Sequence, residues 1–302
     1  MIDIVVCIND NYCEYCGVFL ISLYENNKSE SFTVHVLVDR ISVNNKKNLE
    51  MIAAKFSSKI IFYEINTLDI ENLPVSSQWP LVIYYRLLLP NIIDKKIDKL
   101  IYFDCDTLIR GSIKELWDFP IDNYALAAVE DVLSPIAGMI EQLGYDSKYR
   151  YFNSGVLLIN LEYWRDHDIS NKCIKFLNEN SALVFHPDQD ALNAVLFDKW
   201  QHLPYKFNFL TSYQKLYFKK EQMQYDFERK GNNYPIVVHF TGTKPWSSKC
   251  RSIFKLEYHE YSKCSPWKSK LKKHSVGELV IHLAIVFLDK INLRKNKFYY
   301  KY

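Results

Sequence analysis

Along the first hundred positions, apolar runs typical of strands alternate with apolar residues at the spacing typical of helices. Residues 2–8 form an apolar, β-branched run, whereas residues 13–24 place apolar side chains at helical spacing. Strands that alternate with helices predict crossover units and therefore a mostly parallel sheet. The pattern continues with predicted strands at 33–38, 59–63 and 99–103 and predicted helices at 43–56 and 81–89.

The second half of the chain extends this α/β pattern. The run at 99–103 is almost entirely apolar, which is typical of a central buried strand. Ligands of open α/β sheets gather at the carboxyl ends of such strands, and this one is followed directly by Asp104, Cys105 and Asp106. Further strands are predicted at 125–129, 155–160 and 236–240, and further helices at 161–165 and 190–197.

Charge is unevenly distributed along the 302 residues, 48% of which are hydrophobic. The chain has 38 basic and 35 acidic residues. From residue 251 onward there are 12 basic and 4 acidic residues, which leaves 26 basic and 31 acidic residues before that point. This shift predicts a sheet domain at 1–250 and a basic, aromatic extension at 251–302. Such an extension could bind nucleic acid, anionic lipid or an acidic glycan, or it could be the solvated face of a folded subdomain. Charge alone does not distinguish between these explanations.

Three features of the sequence bear on cellular location. Residues 1–6 begin a strand at once and lack the basic and apolar regions of a signal peptide. Seven cysteines without zinc-site spacing suit reduced thiols, so we expect a cytosolic protein. The apolar stretch at 276–288 is too short and too polar to span a bilayer. Its basic neighbours predict either a helix lying on an anionic membrane surface or an ordinary core helix.

Asp104 and Asp106 are the first candidates for chemistry. On an extended segment, alternation points both carboxylates to one side and Cys105 to the other. Adjacent acids repel each other unless a cation joins them, and carboxylate oxygens suit Mg²⁺ or Mn²⁺. The pair alone is a weak signal, because surface turns also produce it.

A second group of candidates follows the strand predicted at 236–240. His239 at the strand end can reach a metal, and imidazole favours Mn²⁺ over Mg²⁺. Gly242 would let the backbone approach a phosphate, and Lys244 could neutralise it. Taken alone, His239 is better explained as a core or surface histidine.

A third group stands before the strand predicted at 155–160. Residues 151–155 are rich in small polar groups, among them Asn153. Such groups can hydrogen-bond sugar hydroxyls, although a plain strand-entry turn is the simpler explanation.

A fourth group stands at the mouth of the helix predicted at 190–197. Acids at a helix start usually serve as caps. Asp188, Gln189 and Asp190 together exceed what capping requires, so we expect one or two of them to face the ligand.

Four of these segments, taken in order, resemble the retaining glycosyltransferases of family eight. They are Asp104-Cys105-Asp106, FNSGVLLIN, HPDQDALN and HFTGTKPW. Asn9 to Tyr12 after the first strand, Tyr85-Arg86, and Ser265-Pro266-Trp267 also look like that family, so the resemblance covers roughly residues 2–267. The nearest look-alikes are bacterial galactosyl- and glucosyltransferases that extend lipooligosaccharide or lipopolysaccharide cores.

The resemblance implies a GT-A type nucleotide-binding domain at 1–250, UDP-glucose or UDP-galactose as donor, and a saccharide or glycolipid acceptor. It also implies a peripheral enzyme on the inner face of the cytoplasmic membrane, attached through the C-terminal extension. By the same resemblance, Asp104, Asp106 and His239 bind Mn²⁺, with Mg²⁺ as the alternative. The residues that it assigns to the donor are Cys7, Asn9, Asn11, Tyr12, Arg86, Asp104, Cys105, Asp106, Asn153, Gly242 and Lys244.

Gln189 and Asp188 are the candidate catalytic residues. Retaining glycosidases use a carboxylate nucleophile, whereas the side chain placed by resemblance is the poor nucleophile Gln189. We therefore expect a front-face route in which Gln189 stabilises an oxocarbenium-like state. A non-catalytic sugar-nucleotide-binding module and a metal-dependent nucleotidyltransferase are the alternatives, although no Gly-rich phosphate loop is present. Nucleic-acid binding by the basic tail is a third option, but we expect no nucleic-acid partner.

Overall fold

A computed structural model describes residues 1–68, 70–76, 78–132, 138–146, 148–213 and 235–267, together with residues 280 and 284. The strands of these ranges are β1 (Ile2–Cys7), β2 (Phe32–Val38), β3 (Lys59–Glu64), β4 (Lys99–Phe103), β5 (Thr107–Ile109), β6 (Leu126–Glu130), β7 (Phe152–Asn160), β8 (Trp200–His202), β9 (Phe209–Leu210) and β10 (Val237–His239). The α-helices are α1 (Cys13–Glu25), α2 (Val43–Lys55), α3 (Leu89–Ile92), α4 (Lys114–Trp117), α5 (Met139–Leu143), α6 (Leu161–Asp166), α7 (Ile169–Glu179), α8 (Pro187–Leu196) and α9 (Lys255–Lys263). Short 3₁₀ helices occupy Asp10–Tyr12, Leu81–Leu88, Tyr205–Phe207 and Thr211–Tyr213.

The central layer is a seven-stranded sheet with the order β3-β2-β1-β4-β7-β6-β8. Its pairs are parallel except where β7 runs antiparallel to both β4 and β6. The predicted mostly parallel, mixed α/β sheet is therefore confirmed. Apolar side chains cover both faces of the sheet, which explains why the central strands read as continuous hydrophobic runs.

Helix α1 lies at the centre of the molecule and contacts α2, α9 and β5. Ten of its thirteen residues are buried, so its apolar positions extend around most of the helix. The turn between β1 and α1 holds the first predicted ligand residues, so they lie at the carboxyl edge of the sheet.

The segment Asp104-Cys105-Asp106 joins two sheets. Strand β4 belongs to the seven-stranded sheet, whereas β5 pairs with β10 in a second sheet of order β5-β10-β9. The prediction that this segment is extended is wrong. The Thr107 N–H donates to the Asp104 carbonyl at 3.2 Å and closes a turn, because the chain must change sheets here.

Three other boundaries differ from the prediction. The segment predicted as a helix at 81–89 forms a 3₁₀ helix that ends at Leu88 and is followed by the short α3. Pro90 lacks a backbone N–H, so it is tolerated in the first turn of α3 but could not lie inside a longer α-helix. Strand β7 begins at Phe152 instead of residue 155, so its small polar residues lie within the strand. Helix α8 begins at Pro187, three residues earlier than predicted, with the proline in its first turn.

Residues 251–267 pack onto the sheet domain. Tyr261 and Trp267 contact the main core, and the Arg110 guanidinium donates to Glu257 at 2.7 Å. The division of the chain at residue 250 stays a prediction, and the amphipathic helix expected at 276–288 lies outside the described residues except at 280 and 284. None of the helices described is long and apolar enough to cross a membrane.

Candidate active site

A cavity of about 560 Å³ opens at the carboxyl ends of β1 and β4. Asn11 is the one predicted site residue that does not line it, because this side chain is exposed on the turn before α1. The donor role of Asn11 stays a prediction. The predicted residues that do line the cavity are Cys7, Asn9, Tyr12, Arg86, Asp104, Cys105, Asp106, Asn153, Asp188, Gln189, His239, Gly242 and Lys244.

Two carboxylates and one imidazole converge on one wall of this cavity. His239 Nε2 lies 3.3 Å from Asp106 Oδ1 and 3.7 Å from Asp104 Oδ2. One donor atom from each of the three residues lies within 4.8 Å of the other two. The acids come from the turn after β4, and the imidazole comes from the end of β10. The two segments are far apart in the sequence, and the pairing of β5 with β10 brings them together.

The imidazole of His239 is oriented from behind by Asn208. Asn208 Nδ2 donates to Asn153 Oδ1 at 2.9 Å, so its own Oδ1 faces His239 Nδ1 at 3.1 Å as an acceptor. This pattern places the proton on Nδ1 and presents the Nε2 lone pair to the two carboxylates. A lone pair facing two acids is a donor set that needs a cation.

Gly155 makes the close approach of these groups sterically possible. A Cβ atom at this position would lie 2.1 Å from His239 Cε1 and 2.8 Å from Asp104 Oδ2. Only a residue without a side chain therefore allows the imidazole to lie against β7.

Arg86 connects the acidic wall to the opposite side of the cavity. Its guanidinium donates to Asp104 Oδ1 at 2.9 Å and lies 3.2 Å from Asp188 Oδ2. It also donates to the Ser154 carbonyl at 2.9 Å and stacks 4.2 Å from the centroid of the Tyr102 ring. Arg86 is buried, and although burial lowers the pKa of a guanidinium, Asp104 and Asp188 outweigh that effect and raise it.

Lys244 closes the acidic wall from the loop that follows β10. Its ammonium group pairs with Asp106 and donates to the Phe240 carbonyl at 3.1 Å. Burial alone would raise the pKa of Asp106, but the Lys244 ammonium group holds it well below its usual range. Asp106 is therefore an anion in the folded protein and offers a charged oxygen to a ligand.

The far side of the cavity is a hydrogen-bond network centred on Gln189. Its Oε1 accepts from the Ser154 N–H at 2.9 Å and from Asn153 Nδ2 at 3.1 Å. Its Nε2 donates to Tyr151 Oη at 3.1 Å and to Asp131 Oδ2 at 3.3 Å. Both ends of the amide are engaged, so the side chain is held in one orientation.

Asp190 has a different task from its neighbours. One of its oxygens accepts from the backbone N–H groups of Phe185 and His186, at 2.6 and 2.8 Å, and the other accepts from Tyr151 Oη. It therefore holds the entry to α8. Of the three residues expected to include ligand contacts, Asp188 and Gln189 line the cavity, and their contact with a ligand stays a prediction.

Asn9 brings an unpartnered polar atom to the cavity. Among the residues that the structure describes, its buried Oδ1 has no hydrogen-bond partner. Tyr12 lies nearby on the same turn, with its ring edge toward the stacked rings of Tyr15 and Trp246, whose centroids are 3.6 Å apart. An orphaned acceptor beside an aromatic wall suits a flat, hydrogen-bonding group such as a nucleobase.

Three residues of the site were missed in the sequence. Tyr102 donates to Asp104 Oδ1 at 2.5 Å, and it could have been found because it stands on β4 two positions before Asp104. Asn208 and Asp131 reach the site only through pairing between distant segments, and no local pattern marks them.

An acidic wall that suits a cation, at the carboxyl edge of an α/β sheet, is typical of enzymes that act on anionic, nucleotide-like ligands. The chain belongs to glycosyl transferase family 8, whose model matches residues 3–250. The predicted family is therefore confirmed, and the protein is a glycosyltransferase. The binding-module and nucleotidyltransferase alternatives are set aside.

Relatives of known name match nearly the whole chain. General stress protein A of Bacillus subtilis is 37% identical over 283 residues, covering 89% of this chain and 96% of the relative. A lipopolysaccharide 1,2-glucosyltransferase of Escherichia coli is 32% identical over 295 residues, covering 94% and 86%.

The fold also matches a solved glycosyltransferase. The crystal structure of the galactosyltransferase LgtC in complex with donor and acceptor sugar analogs superimposes with a TM-score of 0.80 at 26% identity. The match covers 89% of this chain and 98% of that one. The expected GT-A fold is confirmed by this likeness.

Proposed function

We propose that this glycosyltransferase moves glucose or galactose from a UDP-sugar, with retention of configuration, to a bacterial surface glycan such as a lipopolysaccharide or lipooligosaccharide core. The observation that carries the proposal is the convergence of Asp104, Asp106 and His239 in the cavity. Two carboxylates facing an imidazole lone pair suit a divalent cation that bridges a diphosphate.

The residues present fit a Mn²⁺ ion, with Mg²⁺ as the alternative metal. Asp104 and Asp106 would each supply a carboxylate oxygen, and His239 would supply Nε2. When bound, the cation would stabilise the negative charge that develops on the departing diphosphate. Lys244 adds a positive charge at the same wall and neutralises phosphate without transferring a proton.

The nucleotide is proposed to occupy the side of the cavity formed by the turn after β1. Asn9 Oδ1 would accept from an N–H group of uracil, which would satisfy an atom that otherwise has no partner in the described structure. The ring of Tyr12 would form the wall beside the base, and Cys7, Cys105 and Gly242 would contact the rest of the donor. Asn11 is assigned to the ribose on resemblance alone.

The hexose is proposed to lie between the metal wall and the Gln189 network. Asn153 and Asp188 would accept and donate hydrogen bonds to its hydroxyls, and Arg86 would hold Asp188 in place. This placement puts the anomeric carbon next to Gln189.

Transfer is proposed to occur on one face of the sugar. The bond between the anomeric carbon and the diphosphate oxygen breaks first, and its electron pair leaves with UDP. Gln189 Oε1, held by Asn153 and Ser154, faces the positive charge that develops on the sugar and stabilises it. The acceptor hydroxyl then bonds to the same face and gives its proton to the departing phosphate oxygen.

The acceptor is proposed from the relatives. They include the lipopolysaccharide 1,2-glucosyltransferase already described and a lipopolysaccharide 1,3-galactosyltransferase of Salmonella typhimurium that is 27% identical over 274 residues. We infer a glycolipid or saccharide acceptor of the same kind. The corresponding location is the cytoplasm, at the inner face of the membrane, with 251–302 as the attachment.

A donor-hydrolysis screen tests the proposal. Purified protein is incubated with UDP-glucose, UDP-galactose and other UDP-sugars in the presence of Mn²⁺, Mg²⁺ or a chelator, and free UDP is measured. We expect release from one of the two hexose donors, highest with Mn²⁺ and abolished by the chelator. Release that is independent of metal would contradict the metal assignment, and capture of a sugar covalently bound to a side chain would contradict the one-face mechanism.

A further inference from the structure

Trp267 packs against the first helix of the sheet domain, far from it in sequence. A Cβ atom added to Gly17 in α1 would lie 2.4 Å from Trp267 Cζ3 and 3.2 Å from Cε3. The indole therefore lies directly on the backbone of α1, and it fits there because Gly17 has no side chain.

The indole nitrogen connects Trp267 to the start of α2. Trp267 Nε1–H donates to Asn45 Oδ1 at 2.8 Å. Asn45 Nδ2 in turn donates to Asp10 Oδ1 at 2.9 Å and to the Asp10 carbonyl at 3.0 Å. Trp267 and Asp10 thus hold the Asn45 amide from opposite ends in one orientation, because only the amide oxygen can accept from an N–H group and only its nitrogen can donate to Asp10.

Asp10 lies in the turn that forms the nucleotide side of the cavity. Its carboxylate also accepts from the Ser42 N–H at 2.7 Å, which ties the turn to the start of α2. Asn9 and Tyr12 flank Asp10 and line the cavity, and the Tyr12 N–H donates to the Asn9 carbonyl at 3.0 Å. A shift of Asp10 therefore moves both cavity-lining residues.

We propose that Trp267 is a positioning residue for the donor site, which orients the turn at residues 9–12 through Asn45 and Asp10. Neither the family model, which ends at residue 250, nor the cavity includes Trp267. The identity of the group positioned, a uridine nucleotide, rests on the proposed function. The mechanical part of the inference does not, because it concerns contacts within the chain.

Removing the indole N–H leaves the Asn45 amide held only from its Asp10 side, because its oxygen loses the Trp267 donor. The side chain is then less firmly fixed, and the hydrogen bonds that it donates to the turn weaken. We expect a local loosening of residues 9–12 in the absence of any ligand, and weaker binding of a ligand that needs Asn9 and Tyr12 in place.

Hydrogen exchange of the full-length, ligand-free protein tests the inference directly. Trp267→Phe keeps a ring over Gly17 but removes the donor, and we expect peptides that cover residues 8–15 to exchange faster. Asn45→Asp keeps an acceptor for Trp267 but removes both donors to Asp10, and it should have the same effect or a larger one. Unchanged exchange of these peptides in both folded variants would overturn the inference.

Two further variants separate positioning from general stability. Gly17→Ala improves helix propensity within α1, yet its methyl group displaces the indole, so faster exchange of residues 9–12 is expected although no contact group was deleted. Trp164→Phe is the matched control, because Trp164 Nε1–H also donates one hydrogen bond, to the Ala125 carbonyl at 2.9 Å. Exchange at residues 9–12 should not change in this control.

UDP binding gives the functional side of the test. We expect Trp267→Phe to raise the Kd for UDP, and the KM for the donor, by about fivefold, the effect of one neutral hydrogen bond, with kcat nearly unchanged. Trp164→Phe should leave the Kd unchanged. Equal UDP affinity in wild type and Trp267→Phe would overturn the positioning role. Failure of the wild-type protein to bind UDP would overturn the proposed function, while the exchange experiment would still decide whether Trp267 orients the turn.

Discussion

The two ends of the cavity hold their polar groups in opposite ways. At the end proposed to hold the metal, called the metal end below, Asp104, Asp106 and His239 bring two carboxylates against an imidazole lone pair, and Lys244 and Arg86 pair with the carboxylates from the side. At the sugar end, both atoms of the Gln189 amide are already engaged by neighbouring groups, Asn153 among them. The first arrangement is completed by a cationic ligand, whereas the second is complete without one.

This difference predicts which substitutions reduce activity alone and which also reduce the stability of the fold. The carboxylates of the metal end already pair with Lys244 and Arg86 and still offer oxygens to a cation, so substitutions there should reduce activity far more than the stability of the fold. Saturated buried amides contribute to the fold as well as to the ligand site, because each lost partner leaves a desolvated group behind. Variants at the two ends should therefore differ in how they divide their effects between activity and stability.

Asp106→Asn tests the metal end and should have the largest effect. We expect transfer to fall by at least about 100-fold, since one charged ligand oxygen is lost from the site that stabilises the leaving diphosphate. The thermal unfolding midpoint should stay within a few degrees of the wild-type value. Steady-state UDP release and calorimetric titration with Mn²⁺ measure the first effect, and a thermal melt measures the second.

Asp146→Asn is the matched control for that variant, because Asp146 is an exposed carboxylate that bonds Lys148 on the surface. It should keep full activity and full Mn²⁺ affinity. Wild-type Mn²⁺ binding by Asp106→Asn would mean that the acidic wall does not hold the metal.

Gln189→Met tests the sugar end and should reduce stability and activity together. The apolar side chain leaves the Ser154 N–H without its partner and removes one of the partners of Asn153 and of Tyr151, and a buried group left unsatisfied costs about 1–3 kcal/mol. We expect a clear fall in the free energy of unfolding, measured with urea, and a fall in kcat. Loss of activity with wild-type stability would show that the network does not support the fold.

Arg86→Lys tests the residue that joins the two ends. A lysine ammonium cannot contact Asp104, Asp188 and the Ser154 carbonyl at once, because it lacks the planar fork of donors. We expect a loss of about 1.5–3 kcal/mol in the free energy of unfolding, the range for a hydrogen bond to a charged group, and an intermediate loss of transfer. If stability and transfer both match those of the wild type, the two ends are not coupled through this side chain.

The order of elements could be predicted because each strand and helix carries its own local signal. The apolar runs of β1, β2 and β4 and the helical spacing of α1 appear at the predicted places. The local conformation at Asp104 to Asp106 was predicted wrongly, since the need to turn arises from a sheet change that no neighbouring residue encodes.

The site residues that follow strand ends could be predicted from the sequence. The residues that orient them from distant parts of the chain could not. Asp104, Asp106 and His239 stand at strand ends and were found from that position. Asn208, which orients His239, and Asp131, which accepts from Gln189, depend on tertiary pairings for their roles. The link from Trp267 through Asn45 is of the same kind, because it joins positions 222 residues apart.

The pH dependence of stability gives the smallest effect and compares two carboxyls of one cavity. Burial, and after it the nearby charge of Asp104, raises the pKa of Asp188 despite the opposing effect of Arg86. Its folded form thus holds a proton at pH values above the ordinary 3.8, and the stability that this site contributes is lost as pH rises through the folded pKa. Because asparagine does not titrate, the difference in unfolding free energy, Asp188→Asn minus wild type, should increase with pH from about 4 upward.

Asp106 should give the opposite slope, which makes it the internal control for Asp188. The charge of Lys244 outweighs burial and lowers the pKa of Asp106, so its contribution to stability is present above 3.8 and is lost as pH falls. The difference for Asp106→Asn should therefore decrease as pH rises toward about 4 and stay level above it. Urea unfolding of chelator-treated protein between pH 3 and 8 measures both curves. Two curves of the same slope would show that the cavity does not hold its carboxyls in opposite protonation states, and the contrast between its ends would lose its electrostatic basis.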